Sequence, residues 1–300
     1  RPRCPARYTM LAARQVTRLA SARTGARALA TASLPSSLHL SASTTDGVAI
    51  LEMKDAPVNA LSSAFMESLC IAADQLARDE AVRAVVLTSN VGRPVFSAGL
   101  NLAELIVDEG GDPAKPDKRL VSFMSHIGAV TRAWLSFPKP MVASINGAAP
   151  AGGCMLALTA DYRVMQAGQK HKIGLNETQV GVSAPWWLST MLQDTVGVRR
   201  GERMLQLGEL VGPEEALDMG LVDEVMPTEA ETLARAVEMA AKFAAVPDHS
   251  RRDTKQALRG PFVTQMEDRA AQDATAFATH VMDPNVQKQL RSIVEGLGKR

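Results

Sequence analysis

Short aliphatic runs alternate with longer amphipathic stretches through residues 46–180, and that alternation leaves few architectures open. Val48–Met53, Ala84–Thr88 and Met141–Ile145 are apolar, rich in aliphatic side chains and bounded by turn residues. Each reads as a buried strand. Between the first two, Ser62–Arg78 sets Phe65, Met66, Leu69, Ala73 and Leu76 at helical spacing, with Ser62 or Ser63 as the N-cap. A second helix is predicted over Leu120–Ser136 and is closed by Pro138 and Pro140. Cys154–Ala160 reads as helix, and Tyr162–Met165 and Lys172–Ile173 read as short strands. Strands joined through helices imply parallel pairing by crossover connections. After Gly181 the pattern is mostly helical to the end, with Pro213 opening one helix and Gly220 stopping it. The fold class is therefore α/β with an α-helical C-terminal region. Asp108–Lys118, rich in Gly, Asp, Pro and Lys, is the predicted mobile loop.

Residues 1–45 follow none of this pattern. They hold seven arginines and no Asp, Glu or Lys; the first acid is Asp46. Helical spacing over Met10–Ala20 sets Arg14 and Arg18 opposite Ala12, Val16 and Leu19. An Arg-rich, Ser-rich, acid-free segment of this kind is expected to be a disordered mitochondrial transit peptide, which places the mature protein in the matrix. Taking its seven arginines from the 33 basic residues leaves 26 against 32 acids, a balance of −6. That balance argues against a nucleic-acid partner. No apolar run reaches the ~18 residues of a membrane span. Three cysteines, none in a CxxC pair, and scattered histidines support neither a disulfide framework nor a metal site.

Two stretches of small residues are candidates for ligand contact through the backbone. They are Phe96-Ser97-Ala98-Gly99-Leu100-Asn101 and Asn146–Cys154, the latter carrying Gly147, Gly152 and Gly153. Small side chains let a ligand approach peptide N–H groups, and a following helix start adds unpaired donors. Each loop taken singly reads first as a tight turn for close helix packing.

Together with Gly174-Leu175-Asn176-Glu177-Thr178-Gln179-Val180-Gly181 and Gly212–Val225, these loops resemble the crotonase, or enoyl-CoA hydratase/isomerase, superfamily over about Asp46–Arg300. The resemblance implies a spiral of ββα units over 46–210, a helical region over 211–300, a homotrimer, and acyl-CoA substrates. Coenzyme A would be part of the substrate, with no separate cofactor. Carried over by position, the resemblance implies oxyanion donors at the backbone N–H groups of Ala98 and Gly152, each worth roughly 3 kcal/mol in the transition state. It implies further substrate contacts at Gly99, Leu100, Asn101, Leu102 and Asn176. Asn101 stands where the family more usually has Asp.

Hydratases of this family use two glutamates, one directly after the Gly-Gly-Cys turn. That position is Met155 here, whereas the second falls on Glu177. One base beside an oxyanion hole is suited to moving a proton between two carbons and poorly suited to adding water. Within the superfamily, Gly174–Gln179 is similar to the mitochondrial 3,2-enoyl-CoA isomerases of unsaturated fatty-acid β-oxidation. The resemblance thus implies conversion of a 3-enoyl-CoA to the 2-trans isomer by Glu177. Enoyl-CoA hydration or another crotonase reaction is one rival reading. A non-catalytic acyl-CoA- or RNA-binding protein is another. Glu104 is a minor candidate for a second acid, and Trp186 and Trp187 are equally acyl-tunnel or core residues.

Overall fold

The computed structural model describes residues 40–108 and 115–297. A six-stranded sheet runs β1 (Leu40–Thr45), β2 (Val48–Met53), β3 (Ala84–Ser89), β4 (Met141–Ile145), β6 (Tyr162–Gln166) and β8 (Glu224–Met226) in spatial order. Only the β1–β2 pair is antiparallel; the other neighbours are parallel, as crossover connections dictate. β5 (Ala149–Pro150) and β7 (Ile173–Gly174) pair in a second, smaller ladder.

That ladder reveals the repeat. Each pass through the main sheet is followed by a short extended step that pairs with the corresponding step of another pass. Leu61 bridges Leu100, Val95 bridges Ala148, β5 pairs with β7, and Ile173 bridges Val211. The chain therefore advances as a spiral of ββα units, and the loops rich in small residues are its extended steps.

β3 and β4 are buried along their whole length because both faces are covered. Ala49, Leu51, Val85, Leu87, Ala143 and Ile145 face the main core. Val48, Ala84, Val86, Val142 and Val164 face Ala236, Met239 and Ala240 of a helix over Glu229–Ala244. On the main-core side lie α1 (Ser63–Arg78), α2 (Lys118–Leu135) and α3 (Gly152–Thr159). The α1 N-cap is Ser62, whose Oγ accepts the Phe65 N–H at 3.1 Å. Of the predicted mobile loop, residues 109–114 lie outside the described residues; its far end is Asp117, which caps α2.

Beyond Gly181 come α4 (Trp186–Val196), α5 (Val198–Leu207), α6 (Pro213–Asp218), α7 (Glu229–Ala244), α8 (Asp248–Val281) and α9 (Pro284–Leu297). Pro213 sits in the first turn of α6, and Gly220, at φ +76°, follows its C-cap Met219. The long α8 lies along α2. It is anchored by Lys255 and Arg259, both of which reach Asp161, at 2.8 and 3.0 Å. Arg259 also donates to the carbonyl oxygens of Thr159 and Ala160 at the end of α3.

One expectation needs correction. Leu40–Thr45, assigned to the leader, is strand β1, and Leu40 is buried in the main core. The segment lacks charge in either role, so composition does not mark where a leader would stop. Residues 1–39 lie outside the described residues. The C-terminal third is mostly helical, as expected, with Glu224–Met226 adding an edge strand beside β6. Three residues with one β-branched side chain carry no periodic signal.

Candidate active site

The small-residue loops meet because their backbones have no side chains between them. A Cβ placed on Gly152 would stand 2.7 Å from Leu61 Cδ1 and 3.3 Å from Gly99 Cα. Gly99 holds φ +89°, a conformation that disfavours any side chain. The two loops therefore touch main chain to main chain. Before Gly152, Ala151 has φ +47° and ψ −115°, a sparsely populated conformation for a residue with a Cβ. It is held there from both sides: its N–H donates to the Gly174 carbonyl at 2.8 Å, and its carbonyl accepts the Met155 N–H at 2.9 Å. Gly152 opens α3, so its N–H has no partner within the helix.

Glu177 comes from the opposite wall. It starts a 3-10 turn, Glu177–Val180, closed by Gly181 in the left-handed conformation. Its side chain is directed inward and is 7% exposed. Leu100, Gly152 and Glu177 line one cavity. The remaining wall is largely apolar: Met124 and Ile127 from α2, Met155 from α3, Val182, Leu188 from α4, and Phe277 from α8. Glu177 Oε2 is buried and has no hydrogen-bond partner among the described residues. Burial among these apolar groups, opposed only by a hydrogen bond from its own backbone N–H, pushes the carboxyl up to about 7. At neutral pH it is therefore present in both protonated and ionised forms. Met155 fills the place beside it with a thioether, whose sulfur receives the Thr131 hydroxyl at 3.3 Å.

The backbone donors differ from expectation. The Ala98 N–H is committed to the Val58 carbonyl at 2.9 Å, and Ala98 is exposed, away from the cavity. The Leu100 N–H makes no hydrogen bond among the described residues, although both flanking groups do: Gly99 O accepts from Leu61 N at 2.8 Å, and Asn101 N donates to Leu61 O at 3.1 Å. The donor that the loop presents beside Gly152 is thus Leu100, two residues beyond Ala98. Strand-like pairing with Val58 and Leu61 decides which peptide points inward, and residue type alone does not reveal it.

The other sequence candidates stand around this centre. Asn101 caps the 3-10 turn Leu102–Leu105, its Oδ1 accepting the Ala103 N–H at 3.3 Å. Leu102 packs against the core outside the cavity. Asn176 occupies the cap position of the Glu177 turn without a side-chain capping bond. Glu104 is held away from the cavity as a cap of α1, accepting from Ser63 N–H at 3.2 Å and Ser63 Oγ at 2.7 Å. Neither tryptophan lines the cavity. Trp187 is core, whereas Trp186 donates to Asp273 at 2.6 Å and lies under the Arg269 guanidinium. Sequence reasoning missed Met124, Ile127, Leu188 and Phe277, because a cavity-facing apolar residue on a helix has the same spacing as a core residue.

The comparisons with known proteins agree with this geometry. The family model described as enoyl-CoA hydratase/isomerase matches residues 43–298. The mitochondrial enoyl-CoA delta isomerase 1 of Homo sapiens is 40% identical over 255 residues, covering 84% of this chain and 80% of that protein. Its Rattus norvegicus counterpart is 39% identical over 258 residues, covering 85% of each chain. The crystal structure of human mitochondrial delta3-delta2-enoyl-CoA isomerase superposes with a TM-score of 0.81 at 37% identity, covering 87% of this chain and 98% of that one. With a family model, a sequence and a fold that match over most of its length, the chain belongs to the enoyl-CoA hydratase/isomerase family.

Proposed function

We propose that this protein is a Δ3-Δ2-enoyl-CoA isomerase, converting 3-enoyl-CoA to 2-trans-enoyl-CoA, with Glu177 as the one acid–base group. The observation that carries this reading is that Glu177 is the single carboxylate among the described residues that line the cavity, together with Met155 at the position where a hydratase has its second glutamate.

In this mechanism ionised Glu177 removes a proton from C2. The electron pair forms the C1–C2 double bond, and negative charge collects on the thioester oxygen. The N–H groups of Leu100 and Gly152 receive that oxygen; donors of this kind act chiefly on charge that develops in the transition state. Protonated Glu177 then delivers the same proton to C4. The double bond moves to C2–C3, the carbonyl re-forms and the carboxylate is regenerated. A pKa of about 7 suits a group that must both take and return a proton near neutrality. The reaction is redox-neutral and leaves the atom count unchanged, so it requires no cofactor besides the coenzyme A of the substrate. The apolar wall excludes water and accommodates the acyl chain, while the loop Ala98–Leu102 and Asn176 are assigned to the thioester and pantetheine side.

A homotrimer in the mitochondrial matrix is part of the same proposal. It is supported by family membership, by the mitochondrial relatives and by the acid-free arginine leader. Light scattering should give three times the chain mass; a stable monomer would refute the trimer. The activity is tested by presenting 3-hexenoyl-CoA and 2-hexenoyl-CoA separately. Rapid conjugation of the first with little hydration of the second is expected. Efficient hydration that depends on Glu177 would assign the chain to the hydratases instead.

A further inference from the structure

We infer that Ser97 and Asn59 form the positioning device of the oxyanion site, with the Ser97 hydroxyl tying the Leu100 donor loop to the β2–α1 connection. The inference rests on the isomerase reading above and goes beyond it, because neither residue lines the cavity.

Both residues are fully buried. Asn59 holds φ +49°, a left-handed conformation that Asn tolerates better than most residues. Its side chain is engaged at both ends. Oδ1 accepts the Asp55 N–H at 2.8 Å, while Nδ2 donates to Ser89 Oγ at 2.9 Å and to the Phe96 carbonyl at 3.0 Å. One amide therefore joins the end of β3, the start of the donor loop and its own turn. The Ser97 hydroxyl completes the link. It donates to the Asn59 carbonyl at 2.7 Å and accepts the Gly99 N–H at 3.2 Å.

The consequence for the site follows from peptide planarity. The Gly99–Leu100 peptide is trans, so its C=O and N–H point in opposite directions. Its carbonyl is fixed on Leu61 N at 2.8 Å. The Leu100 N–H must then face away from Leu61 and into the cavity that Leu100 lines with Gly152 and Glu177. Ser97 fixes the preceding peptide through the Gly99 N–H. At Gly99, the residue with the freest backbone in the loop, both neighbouring peptides are therefore restrained. Without the hydroxyl, the peptide before Gly99 is released and the donor peptide is held only through its pairing with Leu61, so its position is less sharply set. Misplacement on the scale of 1 Å costs up to about 100-fold in rate.

The test uses Ser97→Ala in the full-length protein, with Val164→Ala on the far face of the sheet as a variant that is destabilised but remote from the site. Two rates are read. The first is conversion of 3-hexenoyl-CoA. The second is deuterium uptake at C2 of hexanoyl-CoA in D2O, which needs the base and the oxyanion donors but no double-bond shift. For Ser97→Ala, kcat for conversion and the exchange rate should both fall roughly 10-fold. KM should change less than about two-fold and the pH midpoint should stay in place, since Glu177 is untouched. Val164→Ala should retain the wild-type kcat. Ser97→Ala rates within about two-fold of wild type, or an equal loss in Val164→Ala, would overturn the assignment. Wild-type exchange without conversion would refute the isomerase reading alone, leaving the exchange rates to decide the role of Ser97. A wild type inactive in both would overturn both.

Discussion

Gly99 and Gly152 meet backbone to backbone, so that a Cβ on the first would lie 3.2 Å from the amide nitrogen of the second. The oxyanion site depends on this contact, because the two N–H groups converge only if the loops that carry them touch. Gly152→Ala would insert a methyl group 2.7 Å from Leu61 Cδ1 and 3.3 Å from Gly99 Cα. The loops must separate, and kcat should drop by about 10²–10³, the usual loss for one oxyanion donor. Steady-state kinetics of the folded variant check this; a loss smaller than about five-fold would show that the contact is dispensable.

The raised pKa of Glu177 has two consequences of opposite sign. As a base it must be ionised, so kcat/KM should climb through about pH 7 and level off above it. For stability, the folded state holds the proton up to about pH 7 whereas the unfolded chain releases it near 4.5. Folding is therefore unpenalised below pH 4.5 and becomes progressively weaker as pH rises through 7. Glu177→Gln removes that penalty. It should be more stable than wild type by on the order of 3 kcal/mol at pH 8, with the difference nearly gone at pH 4.5. Denaturant titrations at the two pH values test this.

Met155→Glu should place a second carboxyl against Glu177. Two like charges in an apolar cavity disfavour each other, so the pH–rate midpoint for conversion should move alkaline. Hydration of 2-hexenoyl-CoA should rise above the wild-type level, since the pair of carboxyls that handles water is restored. An unmoved midpoint would mean that residue 155 does not face the base.

Glu104 serves as a cap, not as an acid, in this structure. Glu104→Gln weakens the bonds to Ser63 and should cost about 1 kcal/mol of stability. The kcat should stay within two-fold of wild type. A large loss of activity without loss of stability would reinstate it as a second acid.

Much of the scaffold could be read in the sequence because periodicity reports burial. β2 and β4 have the predicted bounds, and α1 begins after the predicted Ser62. Legibility ended where direction, not burial, matters. Ala98 and Leu100 belong to the same small-residue loop, and only the pairing with Val58 and Leu61 turns the second inward. Phe277 was invisible for a related reason. It lies far from Glu177 in sequence, and nothing local shows that α8 returns along α2 to close the acyl cavity.

That return brings Phe277 of α8 into the cavity wall. Phe277→Ala should enlarge the apolar end of the cavity and raise the ratio of kcat/KM for 3-dodecenoyl-CoA over 3-hexenoyl-CoA several-fold, at a stability cost of about 3 kcal/mol. An unchanged ratio would place the acyl chain along a different wall.

The most direct test of the central claim is the conversion of 3-hexenoyl-CoA to 2-hexenoyl-CoA, followed by the absorbance of the conjugated thioester, for wild type and Glu177→Gln side by side. Rapid conversion by the wild type, falling by at least about 10³-fold in a folded Glu177→Gln, is the predicted result. Equal rates in the two proteins would contradict single-carboxylate catalysis by Glu177, and no conversion by the wild type would contradict the isomerase itself.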